Sequence, residues 1–137
     1  MNLAMLRIEG PDSALVAITK DVPVVFESKW KKGESRRNGE IYEASGMSAT
    51  VVDAKNPKEL TELVRGFLVK CIDKKINFPN HNLVAELSIG FTVGDSVQFA
   101  AGVDFSSEEL SMFADCGIDL SFAAYPTSDE ANNKNAT

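Results

Sequence analysis

The chain has 137 residues, 44% of them apolar and 25% charged, the size and composition of one ordinary globular domain. A chain of this length buries roughly two-thirds of the surface its unfolded form exposes, so it needs neither disulfides nor a structural metal to hold a core. The net charge of −6, from 14 basic and 20 acidic side chains, argues against a surface given over to nucleic acid or an anionic membrane, and the composition excludes collagen-like, coiled-coil and disulfide-rich classes.

Leu3, Met5 and their neighbours predict a first strand that ends at the turn dipeptide Gly10-Pro11. Asp12 or Ser13 can cap a short helix through Thr19, with Leu15 and Ile18 turned inward. Val22 to Phe26 is β-branched and apolar and reads as a second strand, with Pro23 marking its start or an edge. The basic stretch that follows is an exposed loop or a twisted edge hairpin. A third strand is expected within Ile41 to Val52, interrupted at Ser45-Gly46.

Asn56 and Pro57 suit the cap and first position of a long helix, and Glu59 completes a box-like start. Leu60, Leu63, Val64, Phe67, Leu68, Cys71 and Ile72 recur at three- and four-residue steps and share one face. Gly66 lies off that stripe and suggests close approach of a neighbouring segment. Leu83, Ala85, Leu87, Ile89, Phe91 and Val93 alternate as a strand, Gly94-Asp95 signals a hairpin, and Val97 to Val103 continues the alternation as its return. Ser106 and Glu109 form a capping box, with Leu110, Phe113 and Ala114 facing inward and Gly117 closing the helix. Ile118, Leu120 and Phe122 lead a last strand to Tyr125, and Thr127 to Thr137 reads as a disordered polar tail. The expected architecture is one α+β domain over residues 1–126, a largely antiparallel sheet with helices on one face, in the order β-α-β-β-α-β-β-α-β.

Charge is unevenly spread along this order. Residues 1–75 carry 13 basic and 11 acidic side chains, whereas residues 76–137 carry Lys134 alone against nine acidic ones. Lys29, Lys31, Lys32, Arg36 and Arg37 stand against only Glu34, a +4 island in a −10 background.

Arg7 and Glu9 interrupt the region where a secretory signal would need its apolar core, and no apolar run reaches the length of a membrane span. A soluble, cytoplasmic protein is expected. Cys71 and Cys116 read as buried reduced thiols. With one histidine, His81, and two separated cysteines there is no zinc spacing, and neither a metal nor a cofactor is implied. No glycine-rich phosphate loop is present, and a Ser-His-Asp or Cys-His mechanism would have to recruit His81 from a loop. The pairs Glu108/Glu109 and Asp115/Asp119 have capping and spacing explanations, so the reading is of a protein that is not an enzyme.

Two surfaces remain. Asp104, Glu108, Glu109, Asp115 and Asp119 around the last predicted helix could dock a basic protein electrostatically. Lys29, Trp30, Lys31, Lys32, Arg36 and Arg37 could bind a phosphate ligand or single-stranded nucleic acid through charge and stacking. The blander alternative is an edge guarded by lysines with Trp30 packed inward, and the −10 background would repel a long polyanion. Trp30, Phe99 and Phe122 could line either a core or an interface.

The order of features, with Lys32-Gly33-Glu34 after an apolar strand, Phe105-Ser106 followed by Glu109-Leu110, and Cys116-Gly117-Ile118-Asp119-Leu120 ending at Tyr125, resembles a widespread bacterial family known only as a domain of unknown function. The resemblance spans Leu3 to Tyr125 and implies a small intracellular bacterial α+β domain, with no catalytic residues to transfer. By analogy, small acidic bacterial proteins of this kind serve as immunity proteins. The leading expectation is therefore a non-enzymatic module that neutralises a basic toxin domain through its acidic surface, with ligand binding at residues 29–37 as the alternative.

Overall fold

Ala4, Leu6 and Ile8 of Asn2–Glu9 (β1) are fully buried, while Leu3, Met5 and Arg7 turn to the other side, the period-two pattern of a strand covered on one face. The computed structural model describes residues 1–136, with side chains as far as Asn132. β1 pairs antiparallel with Gly46–Asp53 (β3) on one side and with Val84–Val93 (β4) on the other. Ser28–Trp30 (β2) joins β3 antiparallel, and Ile118–Pro126 (β5) joins β4 in parallel. The five-stranded sheet runs β2-β3-β1-β4-β5 and is mostly antiparallel, so the α+β expectation holds.

Three helices, Asp12–Thr19 (α1), Pro57–Asp73 (α2) and Ser107–Cys116 (α3), cover one face of this sheet. Leu15 and Ile18 from α1, Leu60, Val64, Phe67 and Leu68 from α2, and Phe113 from α3 join Leu6, Leu87 and Ile89 in a common core. Each such side chain contributes about 1.5–3 kcal/mol through burial. The opposite face, with Met5, Arg7, Thr50, Ser88 and Ser121, receives none of these helices.

The local signals that end helices are realised in side-chain geometry. Asn56 Oδ1 accepts the Glu59 N–H at 2.8 Å, and the Glu59 carboxylate accepts the Lys55 N–H at 3.1 Å. Ser106 Oγ accepts the Glu109 N–H at 3.1 Å while the Glu109 carboxylate accepts the Ser106 N–H at 3.0 Å, a complete capping box. Gly117, at φ 70°, closes α3, with Pro79 packed so near that any Cβ would collide with its ring. α1 is simpler than expected: its cap is Pro11, whose carbonyl takes the Leu15 N–H, and neither Asp12 nor Ser13 serves.

Several expectations are corrected. Val22 to Phe26 is not a strand, because the Asp21 and Val22 N–H groups fold back onto Ile18 and Pro23 has no donor; pairing begins at Glu27, whose N–H reaches Ser48. The third strand starts at Gly46 rather than Ile41. Leu63, Ile72 and Leu110 are 47%, 37% and 49% exposed, and Ala114 is also exposed, since each lies at the margin of its helix stripe. Gly66 faces open space, with no described residue approaching it.

The return strand at Val97 to Val103 does not form. The side of β4 it would occupy is taken by β5, and Ala101 and Val103 pack against the core from a loop instead. The expected tail is also structured: Asp129–Ala136 forms a helix (α4), held because Asp129 accepts hydrogen bonds from the Ser96 and Val97 N–H groups and Asn132 is buried against Thr92. Thr137 lies outside the described residues. No described helix is long and apolar enough to cross a membrane.

Candidate functional site

Capping chemistry divides the five acidic candidates. Glu109 is 7% exposed and spent on the Ser106 box, whose backbone hydrogen bond holds its carboxyl below the ordinary range. Asp119 stands opposite Glu86 on the uncovered sheet face, across the sheet from α3. Asp104 is exposed in the loop before α3. Only Glu108 and Asp115 come together, along a shallow groove of about 350 Å³ between α2 and α3 floored by Val69, Ile72 and Met112. The acidic set is therefore not one surface.

The basic stretch is far more organised. β2 places Trp30 opposite Gly46 and Lys29 opposite Met47, so the indole lies on the uncovered face directly over the glycine. A Cβ at Gly46 would stand 2.6 Å from the indole Cε2 and 2.7 Å from the Ile8 carbonyl, contacts that no side chain tolerates. Tyr42 stacks on Trp30 with centroids 5.2 Å apart, the Arg7 guanidinium lies 4.8 Å from the Trp30 ring, and that of Arg36 lies 5.1 Å from the Tyr42 ring. Such cation–ring contacts contribute about 0.5–1 kcal/mol each at exposed sites. Arg7 is also paired with Glu9 at 2.6 Å. Among the described residues the buried Trp30 N–H has no hydrogen-bond partner, an arrangement that packing alone does not favour.

The loop after β2 is anchored at both ends. The Lys32 N–H donates to Ser45 Oγ at 2.9 Å, Gly33 donates to the Tyr42 carbonyl, and a bridge between Ser35 and Ile41 forms a short hairpin that turns at Gly39, φ 84°. Of the exposed loop and the twisted edge hairpin expected for it, the stretch takes the form of the edge strand β2 followed by a short hairpin.

Between this edge and α1 opens a cleft of about 520 Å³. Leu15, Val16 and Met47 supply its apolar wall, and Trp30 lines it from the edge strand while its indole packs on the uncovered face; Lys20, Lys29 and Lys31 bring positive charge, and Asp12 and Glu34 lie among them. Its volume falls in the range of small-molecule sites. Lys29, Trp30 and Lys31 therefore reach the cleft, Arg36 acts through Tyr42, and Lys32 and Arg37 are exposed and do not line it. Sequence reasoning missed Tyr42, Arg7 and the α1 wall. A small residue, Gly46, within a run of strand formers was the available signal that an aromatic ring lies across the sheet there.

Other chemistry is scarce among the described residues. No group of three or more His, Cys, Asp or Glu side chains gathers in a metal-binding arrangement. Cys71 on α2 and Cys116 at the end of α3 are buried thiol against thiol, and the adjoining sulfur and burial push the Cys71 thiol well above its usual range. Comparison of the chain with protein-family models, curated proteins and solved structures returns no match.

Proposed function

We propose that this protein is a non-enzymatic binding module that takes a small anionic ligand with a flat or aliphatic body, an organic phosphate of mononucleotide size, into the cleft between α1 and β2. The observation that carries the reading is the cleft itself, where Leu15, Val16 and Met47 form an apolar wall beside the edge strand with Lys20, Lys29 and Lys31 at hand. The apolar wall takes up the body of the ligand, at about 25 cal/mol per Å² of apolar surface removed from water, and the lysines supply the charge that an anion needs. The −10 background outside the island limits the ligand to a short one, because a long polyanion would run onto acidic surface. Calorimetric titration with a mononucleotide and with inorganic phosphate tests this. Binding of the nucleotide that is lost in the Lys29→Glu/Lys31→Glu double variant supports it; binding unchanged by that double variant contradicts it.

A second reading is favoured by the α2–α3 groove, where exposed Val69 and Ile72 lie between Glu108 and Asp115. That combination suits a basic protein partner presenting an apolar anchor, including a toxin domain if the module acts in immunity. Glu108→Lys/Asp115→Lys would abolish such an association and leave nucleotide binding intact, which separates the two readings.

A further inference from the structure

The two edges of the sheet are finished differently. β2 is three residues long and carries Lys29, a short charged edge of the kind that discourages pairing. β5 is nine residues long and, among the described residues, pairs only with β4, so its outer side carries no described strand. The Thr127 N–H donates to the Val93 carbonyl at 2.9 Å. Backbone groups alternate along a strand, so Leu120, Phe122 and Ala124 turn their N–H and carbonyl groups outward. Pro126 falls in the same outward set, where its missing donor costs no bond to β4.

This edge is also uncharged. From Leu120 to Thr127 there is no ionisable group except the Tyr125 phenol, and Phe122 and Tyr125 are 52% and 54% exposed. α3 lies over β5 and against α2. Glu108 and Asp115 occupy its α2 side, and helical spacing puts Ser107, Leu110 and Ala114 on the flank toward the open edge. Leu110, 49% exposed, thus stands beside the same edge as Phe122.

We infer that β5 pairs antiparallel with β5 of a second copy, about a twofold axis at Phe122, and continues the sheet to ten strands. Phe122 then faces Phe122 of the second copy, and Leu120 faces its Ala124, so every outward donor meets an acceptor in an isologous contact. The Leu110–Ala114 flanks of the two α3 helices come together over the paired phenylalanines. A second copy is the occupant because the strip is self-complementary and free of the acidic groups that would set two chains of −6 against each other. No lysine, bulge or mid-strand proline blocks it.

Sedimentation equilibrium on the full chain, from low micromolar to near-millimolar concentration, should give twice the 14.9 kDa chain mass. Phe122→Lys, its fold checked by far-ultraviolet circular dichroism, should return the chain mass, whereas Asp119→Lys on the opposite face should remain dimeric. If Phe122→Lys fails to fold, Phe122→Cys decides: mild oxidation should give a covalent dimer, and Ala123→Cys, which opposes Ser121 of the second copy, should not. A monomer at every concentration overturns the proposal. So does a dimer that survives folded Phe122→Lys, or one that Phe122→Cys fails to cross-link.

Discussion

Trp30 and Gly46 are register partners across β2 and β3, and the indole lies on the glycine so closely that the residue can carry no side chain. The Gly46 position thereby sets how closely the indole lies on the sheet, and Tyr42 and Arg7 pack on the ring. Gly46→Ala should lift the ring off the sheet at a cost of about 1–3 kcal/mol. The check is denaturant unfolding together with a red shift of emission from this single tryptophan. A variant of full stability and unshifted emission would contradict the packing described.

The Ser106–Glu109 box predicts a defined acid limb of stability. The folded Glu109 carboxyl lies below the ordinary range because it accepts the Ser106 N–H. Its contribution is therefore complete above the unfolded value, about 4.3, and is lost as pH falls through the lower folded value. Glu109→Gln keeps a capping acceptor but removes the titration, so its stability should vary less than wild type between pH 5 and the acid transition. Ser106→Ala, which removes the cap itself, should cost about 1 kcal/mol at neutral pH.

Asp129 predicts a link between α4 and the turn after β4. Its carboxylate accepts the Ser96 and Val97 N–H groups at 2.9 Å and the Ser96 hydroxyl at 2.7 Å, and these bonds hold its own titration low. Asp129→Asn should speed amide exchange at Ser96 and Val97 while leaving exchange in β1 unchanged. Acidification of the wild type below the ordinary Asp range should have the same local effect, since protonation removes the charged acceptor.

Burial of Cys71 against Cys116 predicts thiols that are inert in the folded protein. Both are 0% exposed, and the Cys71 thiol is held protonated by its neighbour and by desolvation. A thiol-specific chromogenic reagent should titrate neither in native buffer and both in denaturant. Rapid native reaction would show that the α2–α3 contact opens readily.

What the sequence revealed and what it hid differ by range of interaction. The caps at Asn56 and Ser106 were legible because a side chain meets a backbone group three residues away. Val97 to Val103 alternates like a strand, but the side of β4 it needs belongs to β5, a choice made by a segment on the far side of α3. Asp129 looked like part of a polar tail because its partners, Ser96 and Val97, lie more than thirty residues away. Glu109 was legible as a cap, and the same bonds that make it one withdraw it from any partner surface. The basic island was visible as charge; the cleft needed α1 and the ring cluster needed Tyr42 and Arg7, which only the fold brings to the edge strand.

Trp30 is the only tryptophan in the chain and sits on the edge strand that lines the cleft, so its fluorescence reports on that strand without labelling. Titration with a mononucleotide should change its emission saturably, with an affinity that weakens as salt is raised and a response that disappears in Lys29→Glu/Lys31→Glu. Emission that stays flat through millimolar nucleotide, or a response indifferent to both salt and those lysines, would contradict the account.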